Sequence, residues 1–332
     1  MKAPDFWHRP DGGLMAALLS PLGCLYAIGA RARQANVHPW RAPVPVICVG
    51  NLVAGGAGKT PVALGLAEQL KRRNKAVHFL SRGYGGSVQG PHRVDPINDS
   101  YRQVGDEPLL LAATAPTWVA RDRAAGARAA IEAGAEVILM DDGFQNPSLA
   151  KDISLLVVDG SYGFGNGRII PAGPLREPMA DGLARADGVI LIGADEAGVS
   201  EHIAAAGTPL FNACFEAGPE AAGLKGETVV AFAGIGRPEK FFATLEEVGC
   251  TLAARHAFAD HHPYTPAEIA VLIRQAEAKN AKLVTTAKDA QRLAPQDRDR
   301  IKVLTITPKW EDEEALNRLL ATLEDDARTE QP

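Results

Sequence analysis

The 332-residue sequence predicts an α/β protein: a parallel sheet covered by helices, followed by a smaller C-terminal α/β lobe and preceded by an amphipathic helix. Three observations carry this expectation. Short apolar runs at 44–49, 77–80, 137–140, 153–158 and 188–192 alternate with helix-length segments, as strands buried on both faces of a parallel sheet do. A further set of such runs begins after Glu227. A stretch without any charged residue, 12–30, lies near the start.

Taking the chain in order, residues 12–30 allow a spanning helix, a signal peptide, an interfacial helix or a helix packed on the core. At about 100° per residue, Leu14, Leu18, Leu22, Leu25 and Ile28 share one sector, with Met15, Leu19 and Tyr26 beside it. Ala16, Ala17, Ser20, Cys24 and Ala27 fall opposite. Pro21 and several glycines weaken a span, and cleavage as a signal would export the chain. Trp7, Arg9, Arg31, Arg33 and Trp40 flank the segment, which favours a helix lying at a headgroup boundary. Residues 1–41 carry five cationic side chains (Lys2, Arg9, Arg31, Arg33, Arg41) against Asp5 and Asp11.

The strand at 44–49 is followed by a glycine loop and a helix over about 61–73. Helix 124–133 and the strands at 137–140 and 153–158 come next, then a loop rich in glycine and proline, 160–178. A second lobe is expected from 227, with strands at 228–232, 283–286 and 303–306 and a helix at 238–248. The expected division is therefore 1–41, 42–226 and 227–332. The chain from Glu311 onward is acidic, expected as a solvated last helix and a frayed tail at Glu324-Asp325-Asp326.

Composition narrows the class. Hydrophobic residues at 46% and charged residues at 23% are ordinary for a folded chain. Cys24, Cys48, Cys214 and Cys250 show no paired spacing, so neither a disulfide framework nor a zinc site is expected, as suits a reducing cytoplasm. A net charge of −5 argues against general nucleic-acid binding.

The sharpest local signal is Val53-Ala54-Gly55-Gly56-Ala57-Gly58-Lys59-Thr60 between a strand and a helix, the context that a phosphate-binding P-loop requires. Glycines let backbone N–H groups close around phosphate oxygens, and the helix N-terminus adds its positive end. Lys59 is expected to bridge the β- and γ-phosphates of ATP, and Thr60 to hold Mg²⁺. Val53 stands where the usual pattern has its first glycine. An apolar strand ending in Asp141-Asp142 supplies the carboxylates that P-loop proteins place near the metal.

Several further motifs together resemble one family, the tetraacyldisaccharide 4'-kinases of lipid A synthesis. They are Gly50-Asn51-Leu52 before the loop and Pro61 after it, Ser81-Arg82-Gly83-Tyr84-Gly85-Gly86, Gly105-Asp106-Glu107-Pro108 and Asp141-Asp142-Gly143-Phe144-Gln145. Pro171 through Pro178, Asp260-His261-His262 and Thr285-Thr286-Ala287-Lys288-Asp289 continue the match in family order. The resemblance implies a P-loop kinase that moves the γ-phosphate of ATP to the 4'-hydroxyl of a tetraacyldisaccharide 1-phosphate, giving the 1,4'-bisphosphorylated lipid. It also implies a membrane-associated N-terminal helix and work at the cytoplasmic face of the bacterial inner membrane. ATP and Mg²⁺ are the implied cofactors, and no nucleic acid or protein partner is expected. In one place the chain departs: the family usually has His after the Gln of this motif, and here Asn146 stands.

Single residues allow two readings each. Asp106 could deprotonate the sugar hydroxyl or cap the helix that follows; the resemblance favours catalysis. His261 could pair with Asp106 or be a solvated loop histidine, with His262 beside it as a rival. Glu177 is implied to hold Mg²⁺ with Asp141 or Asp142, or else to pair with Arg176. Arg82, Arg121 and Arg123 have the guanidinium geometry for anionic groups, although Arg121-Asp122-Arg123 also reads as ion pairing at a helix start. Tyr84, Gln145 and Asn146 are expected acceptor-sugar contacts. Two rival functions remain open at this point: a membrane-associated ATPase switch of the partitioning type, which would carry a lysine where Ala54 stands, and a soluble kinase for a small metabolite.

Overall fold

The computed structural model describes residues 4–9 and 11–329. Helix α1 (Gly13–Ala35) leads into β1 (Val46–Gly50) and α2 (Lys59–Arg72), then β2 (Val77–Ser81) and β3 (His92–Arg93). Two short helices, α3 (Tyr101–Val104) and α4 (Asp106–Ala112), precede β4 (Thr117–Val119), α5 (Arg123–Glu132) and β5 (Val137–Asp141). Next come β6 (Ile153–Asp159), α6 (Met179–Leu183), β7 (Gly188–Ile192), α7 (Val199–Ala205) and β8 (Leu210–Ala217). The later run holds β9 (Thr228–Ala233), α8 (Pro238–Glu247), β10 (Thr251–Ala257), α9 (Pro266–Ala278) and β11 (Lys282–Thr286). It continues through α10 (Ala287–Ala290), α11 (Pro295–Arg298) and β12 (Lys302–Leu304), and the chain closes with β13 (Ile306–Trp310) and α12 (Glu313–Thr329).

Two sheets result. The larger is ordered β13-β8-β7-β6-β1-β5-β2-β4-β3 and is parallel except at its edges, where β13 and β3 run antiparallel to their neighbours. The smaller, β10-β9-β11-β12, is wholly parallel. Every residue of β1, β5 and β6 is buried, which is why these strands read as unbroken apolar runs. Val62, Leu66 and Leu70 of α2, spaced four apart, seal one face of this core. β1 has β5 and β2 on one side and β6 on the other, so the chain reverses direction across the sheet there. The carboxyl ends of strands at such a reversal form the crevice where α/β sheets bind ligands.

The expected C-terminal lobe, 227–332, needs correction at its end. At Thr305 the chain leaves the small sheet and crosses back, so the single strand expected at 303–306 is the end of β12 and the start of β13. β13 pairs with β8 of the large sheet, and Leu316, Leu320 and Leu323 of α12 are buried in the large core. The last helix is thus amphipathic rather than merely solvated: its leucines recur at i, i+4 and i+7 beneath the acidic face. The tail expected to fray from Glu324 lies outside the described side chains.

Helix α1 carries its large apolar side chains outward. Leu14, Leu18, Leu22, Leu25 and Ile28 are each more than half exposed, and the helix touches the body through Ala16, Gly23 and Ala27. At Gly23 a methyl group would come within 2.9 Å of the Ile169 carbonyl, so only glycine permits that approach. It is the one helix among the described residues long and apolar enough to cross a membrane. Several flanking residues also bind the body. Trp7 donates to the Pro171 carbonyl, Arg31 pairs with Asp181, Arg41 with Asp152, and Trp40 lies under the Arg128 guanidinium. Arg9, Arg31, Arg33 and Arg41 all remain exposed.

Candidate active site

The loop 53–60 runs from the end of β1 to the start of α2. Gly55 (φ +117°) and Gly58 (φ +86°) take left-handed backbone that other residues rarely adopt. A methyl group at Gly58 would strike the Phe215 ring at 2.7 Å. The loop is strapped from outside: Ala54 N donates to the Pro174 carbonyl, and Arg176 N to that of Leu52. The glycine- and proline-rich segment 160–178 therefore braces the loop. From the second lobe, Gly236 lies so close that a methyl there would be 3.0 Å from Gly56 N.

At the end of β5 the Thr60 hydroxyl donates to Asp141 Oδ2 at 3.0 Å. Asp141 Oδ1 is buried with no hydrogen-bond partner among the described residues. Burial pushes this carboxyl well above the ordinary carboxylate range; Glu107's charge adds to the effect, and Lys59 opposes it. Asp142 goes the other way. Burial alone would raise it, but Lys59 at 3.7 Å and Arg176 at 2.8 Å hold it at about 2. Its backbone is left-handed (φ +55°), which turns the side chain off the strand direction at the loop's mouth. Glu177, 3% exposed, pairs with Arg185 and accepts from Gln145 Nε2 at 3.0 Å. Gln145 also donates to the Asn51 carbonyl at 2.9 Å, tying Glu177 to the phosphate loop.

An orphaned buried carboxylate oxygen beside a hydroxyl is an all-oxygen donor set, which fits Mg²⁺. Thr60 and Asp141 stand together there; Asp142 Oδ1 is met by Lys59 and Arg176, and Glu177 by Arg185 and Gln145. Among the described residues no three acidic, histidine or cysteine side chains converge on one point. A Mg²⁺ ion held by one or two protein groups, with substrate phosphates and water completing its shell, needs no more.

The second cluster joins the two lobes. His261 Nδ1 lies 2.9 and 3.1 Å from the two carboxylate oxygens of Asp106, across 155 positions of sequence. Asp106 opens α4 and is 3% exposed; it does not cap that helix through its side chain beyond a bond from Glu107 N to Oδ1, the N-cap being Gly105. Burial would raise its carboxyl, yet the hydrogen bond from His261 and the charge of Lys288 leave it lowered. His261 has a left-handed backbone (φ +58°), a costly conformation for a histidine, and its N–H is fixed on the Gly234 carbonyl at 3.1 Å. Below it, buried Arg292 pairs with Asp289 and approaches Asp106 Oδ2 at 3.4 Å. Asp289 also accepts from Gly234 N at 2.9 Å and from Tyr264 at 2.7 Å.

The expected acceptor contacts divide. Tyr84 is 66% exposed, with its ring 5.4 Å from that of His261. Arg121 is exposed, and no bond or ion pair engages its side chain among the described residues. Arg123 is buried, donates to the Ala120 carbonyl, and is lowered to about 10 by burial and by Arg82. Asn146 Oδ1 accepts from the Ser148 N–H and hydroxyl, so the residue in the place of the family's histidine shapes a turn.

Residues 15–324 match the family model described as Tetraacyldisaccharide-1-P 4'-kinase. The chain belongs to this family. It is similar to the tetraacyldisaccharide 4'-kinase of Rhodospirillum centenum, 55% identical over 327 residues that cover 97% of each chain. That of Paramagnetospirillum magneticum is also 55% identical, over 94% of this chain and 95% of that one. Among solved structures it resembles LpxK from Aquifex aeolicus crystallised with ATP, at 29% identity and a TM-score of 0.75, covering 93% of this chain and 99% of that one. As a tetraacyldisaccharide 4'-kinase the protein is an ATP-dependent enzyme of lipid A biosynthesis, with ATP and Mg²⁺ as cofactors. The partitioning ATPase and the small-metabolite kinase are thereby set aside. For a 4'-kinase, the sequence left four site residues without a role: Glu107, Lys288, Arg292 and Arg185. Glu107 and Lys288 lie inside the quoted motifs, but nothing in their spacing tells that they meet.

Proposed function

We propose that Asp106 accepts the proton of the 4'-hydroxyl as it attacks the γ-phosphate, with His261 holding Asp106 in place. A new bond forms between the sugar oxygen and phosphorus, the bond to the ADP oxygen breaks, and the proton passes to Asp106. The carrying observation is the contact of Asp106 with His261 across the two lobes, at 2.9 Å. A carboxylate held low and hydrogen-bonded suits phosphoryl transfer, which asks for positioning and charge stabilisation more than for a strong base. The backbone N–H groups of 53–60 and the Lys59 ammonium hold the phosphates. Thr60 and Asp141 would hold Mg²⁺, which would supply charge neutralisation to the phosphates. Asp142 and Glu177, through Arg176 and Arg185, keep the surrounding charge ordered. The acceptor lies across Tyr84 and Arg121, with Arg123, Gln145 and Asn146 shaping the ground behind it.

The division of labour that follows is an anchor of 1–41, a phosphate-binding core of 42–226 completed by 306–329, and a lobe of 227–305 that brings His261. The anchor lies on the cytoplasmic face of the inner membrane as a monotopic helix. Five large apolar side chains face outward along it while small residues pack inward, the orientation expected for a helix seated in lipid. The test is ADP formation with Mg-ATP in the presence and absence of the disaccharide 1-phosphate lipid. Acceptor-dependent turnover that collapses in Asp106→Ala, while ATP still binds, supports the assignment; full turnover in that variant refutes it.

A further inference from the structure

Lys288 stands on the far side of the His261 ring from Asp106. It is the second residue of α10, which starts where β11 ends and is capped by Thr286, whose hydroxyl accepts from Asp289 N at 3.1 Å. Lys288 Nζ lies 3.3 Å from His261 Nε2, 3.0 Å from Glu107 Oε1 and 3.5 Å from Asp260 Oδ1. An ammonium group has only hydrogens to offer, so at this contact it donates and Nε2 accepts. An ionised carboxylate only accepts, so at the other side of the ring Nδ1 carries the hydrogen and donates to Asp106. One neutral tautomer satisfies both neighbours.

We propose that Lys288 is a positioning residue that caps Nε2 of His261, keeps the ring a neutral Nδ1–H donor, and so leaves the proton-accepting role to Asp106. In a serine–histidine–aspartate triad Nε2 faces the nucleophile and takes its proton. Here that nitrogen is closed by a cation, and the roles of acid and imidazole are exchanged. A mere ion-pair bridge would need Glu107 and Asp260 alone and gives no reason for the lysine to sit on the ring. Burial would discharge an isolated amine, but Glu107, Asp106 and Asp260 more than offset it and keep Lys288 charged. The charged groups facing the ring are Asp106 on α4, Asp260 in its own loop at 3.8 Å from Nε2, and Lys288 on α10; Tyr84 contributes only its ring.

The inference rests on the reading of Asp106 and His261 as the catalytic pair, which has its own test in the activity of His261→Gln. Lys288 is tested on the ring itself, by ¹⁵N-histidine NMR of the full chain at one fixed neutral pH, using His261→Gln to assign the signal. The wild-type spectrum is expected to show the hydrogen on Nδ1. In Lys288→Met, Asp106 and Asp260 act on the ring without an opposing cation. Nε2 then has no donor closing it and should take up hydrogen, and kcat should fall while KM for ATP stays put. Lys288→Arg should restore the wild-type profile. Lys288→Gln, which keeps a donor to Nε2, should hold the tautomer, and Lys288→Ala serves as the test if the methionine variant fails to fold. An unchanged tautomer in Lys288→Met or Lys288→Ala would overturn the proposal and reduce Lys288 to a bridge between Glu107 and Asp260. An inactive His261→Gln with that unchanged ring would leave the pair standing and this inference refuted.

Discussion

The carboxylate at the end of β5 and the one at the start of α4 meet the cost of burial in opposite ways. Asp141 is 1% exposed, keeps one oxygen without a partner, and is raised; Asp106 is 3% exposed, has partners on both oxygens, and is lowered. The first is incomplete until a cation arrives. The second is completed by the protein itself, through side chains of the other lobe. A site that must bind and release a metal is left in deficit, and a site that must stay ionised between turnovers is satisfied in advance.

The largest effect that can break this contrast is on turnover. Asp106→Asn should lower kcat by about 10²–10⁴, the usual range for a general base, with ATP affinity near normal by equilibrium binding. Lys59→Ala should lose on the order of 10²–10³ in kcat without unfolding. Wild-type kcat in either variant would remove its residue from the chemistry.

Next in size is the membrane. Leu18→Ser with Leu25→Ser strips two side chains that are 64% and 65% exposed. Each should lose about 1–2 kcal/mol of burial in lipid, roughly a hundredfold in vesicle affinity for the pair, with the melting temperature unchanged. Sedimentation with vesicles at the wild-type level would place the attachment elsewhere.

Stability without Mg²⁺ sharpens the contrast most finely, because the two carboxylates should act with opposite sign. For Asp141 the folded pKa is raised, so the folded state holds its proton above the unfolded value of about 3.9, and stability falls as pH rises beyond that. Asp141→Asn should therefore melt higher than wild type at neutral pH, by at least about 1 kcal/mol. For Asp106 the folded pKa is lowered, so its contribution is present above about 3.9 and is lost as pH falls through the folded value. Asp106→Asn should melt lower at neutral pH, and its deficit should shrink below about pH 4. Equal signs in thermal melts across this range would dissolve the distinction. Smaller still, Thr265→Ala removes the capping box of α9, in which Thr265 accepts from Glu268 N and Glu268 answers Thr265 N. It should cost about 1 kcal/mol of stability with kcat intact, as urea unfolding can show.

The same two clusters show why part of the site was legible in the sequence. Lys59, Thr60 and the β5 carboxylates follow from local rules: an apolar strand, a glycine loop, a helix start and a second strand ending in acid. Backbone geometry joins them once β1 and β5 pair, with Val49 opposite Asp141. The second cluster gathers residues from 106, 261 and 288, whose meeting depends on how the small sheet leans on the large one. No local period encodes that, so Lys288 and Arg292 went without a role, and the Asp106–His261 pairing stood as one of two readings. Strands with half-exposed faces, β8 and β10, were missed for a related reason: their pattern is set by the edge they occupy. The return of β13 to the large sheet after a full lobe was equally hidden, since its five residues alternate weakly and give no partner.

The most direct measurement is a double-mutant cycle on kcat with Asp106→Ala and His261→Ala, using Mg-ATP and the disaccharide 1-phosphate lipid at saturation. If the two side chains act as one unit, the double variant should be little worse than the poorer single one, because either change already disables the pair. If the two losses multiply, Asp106 and His261 work independently, and the contact between the lobes is not the centre of the chemistry.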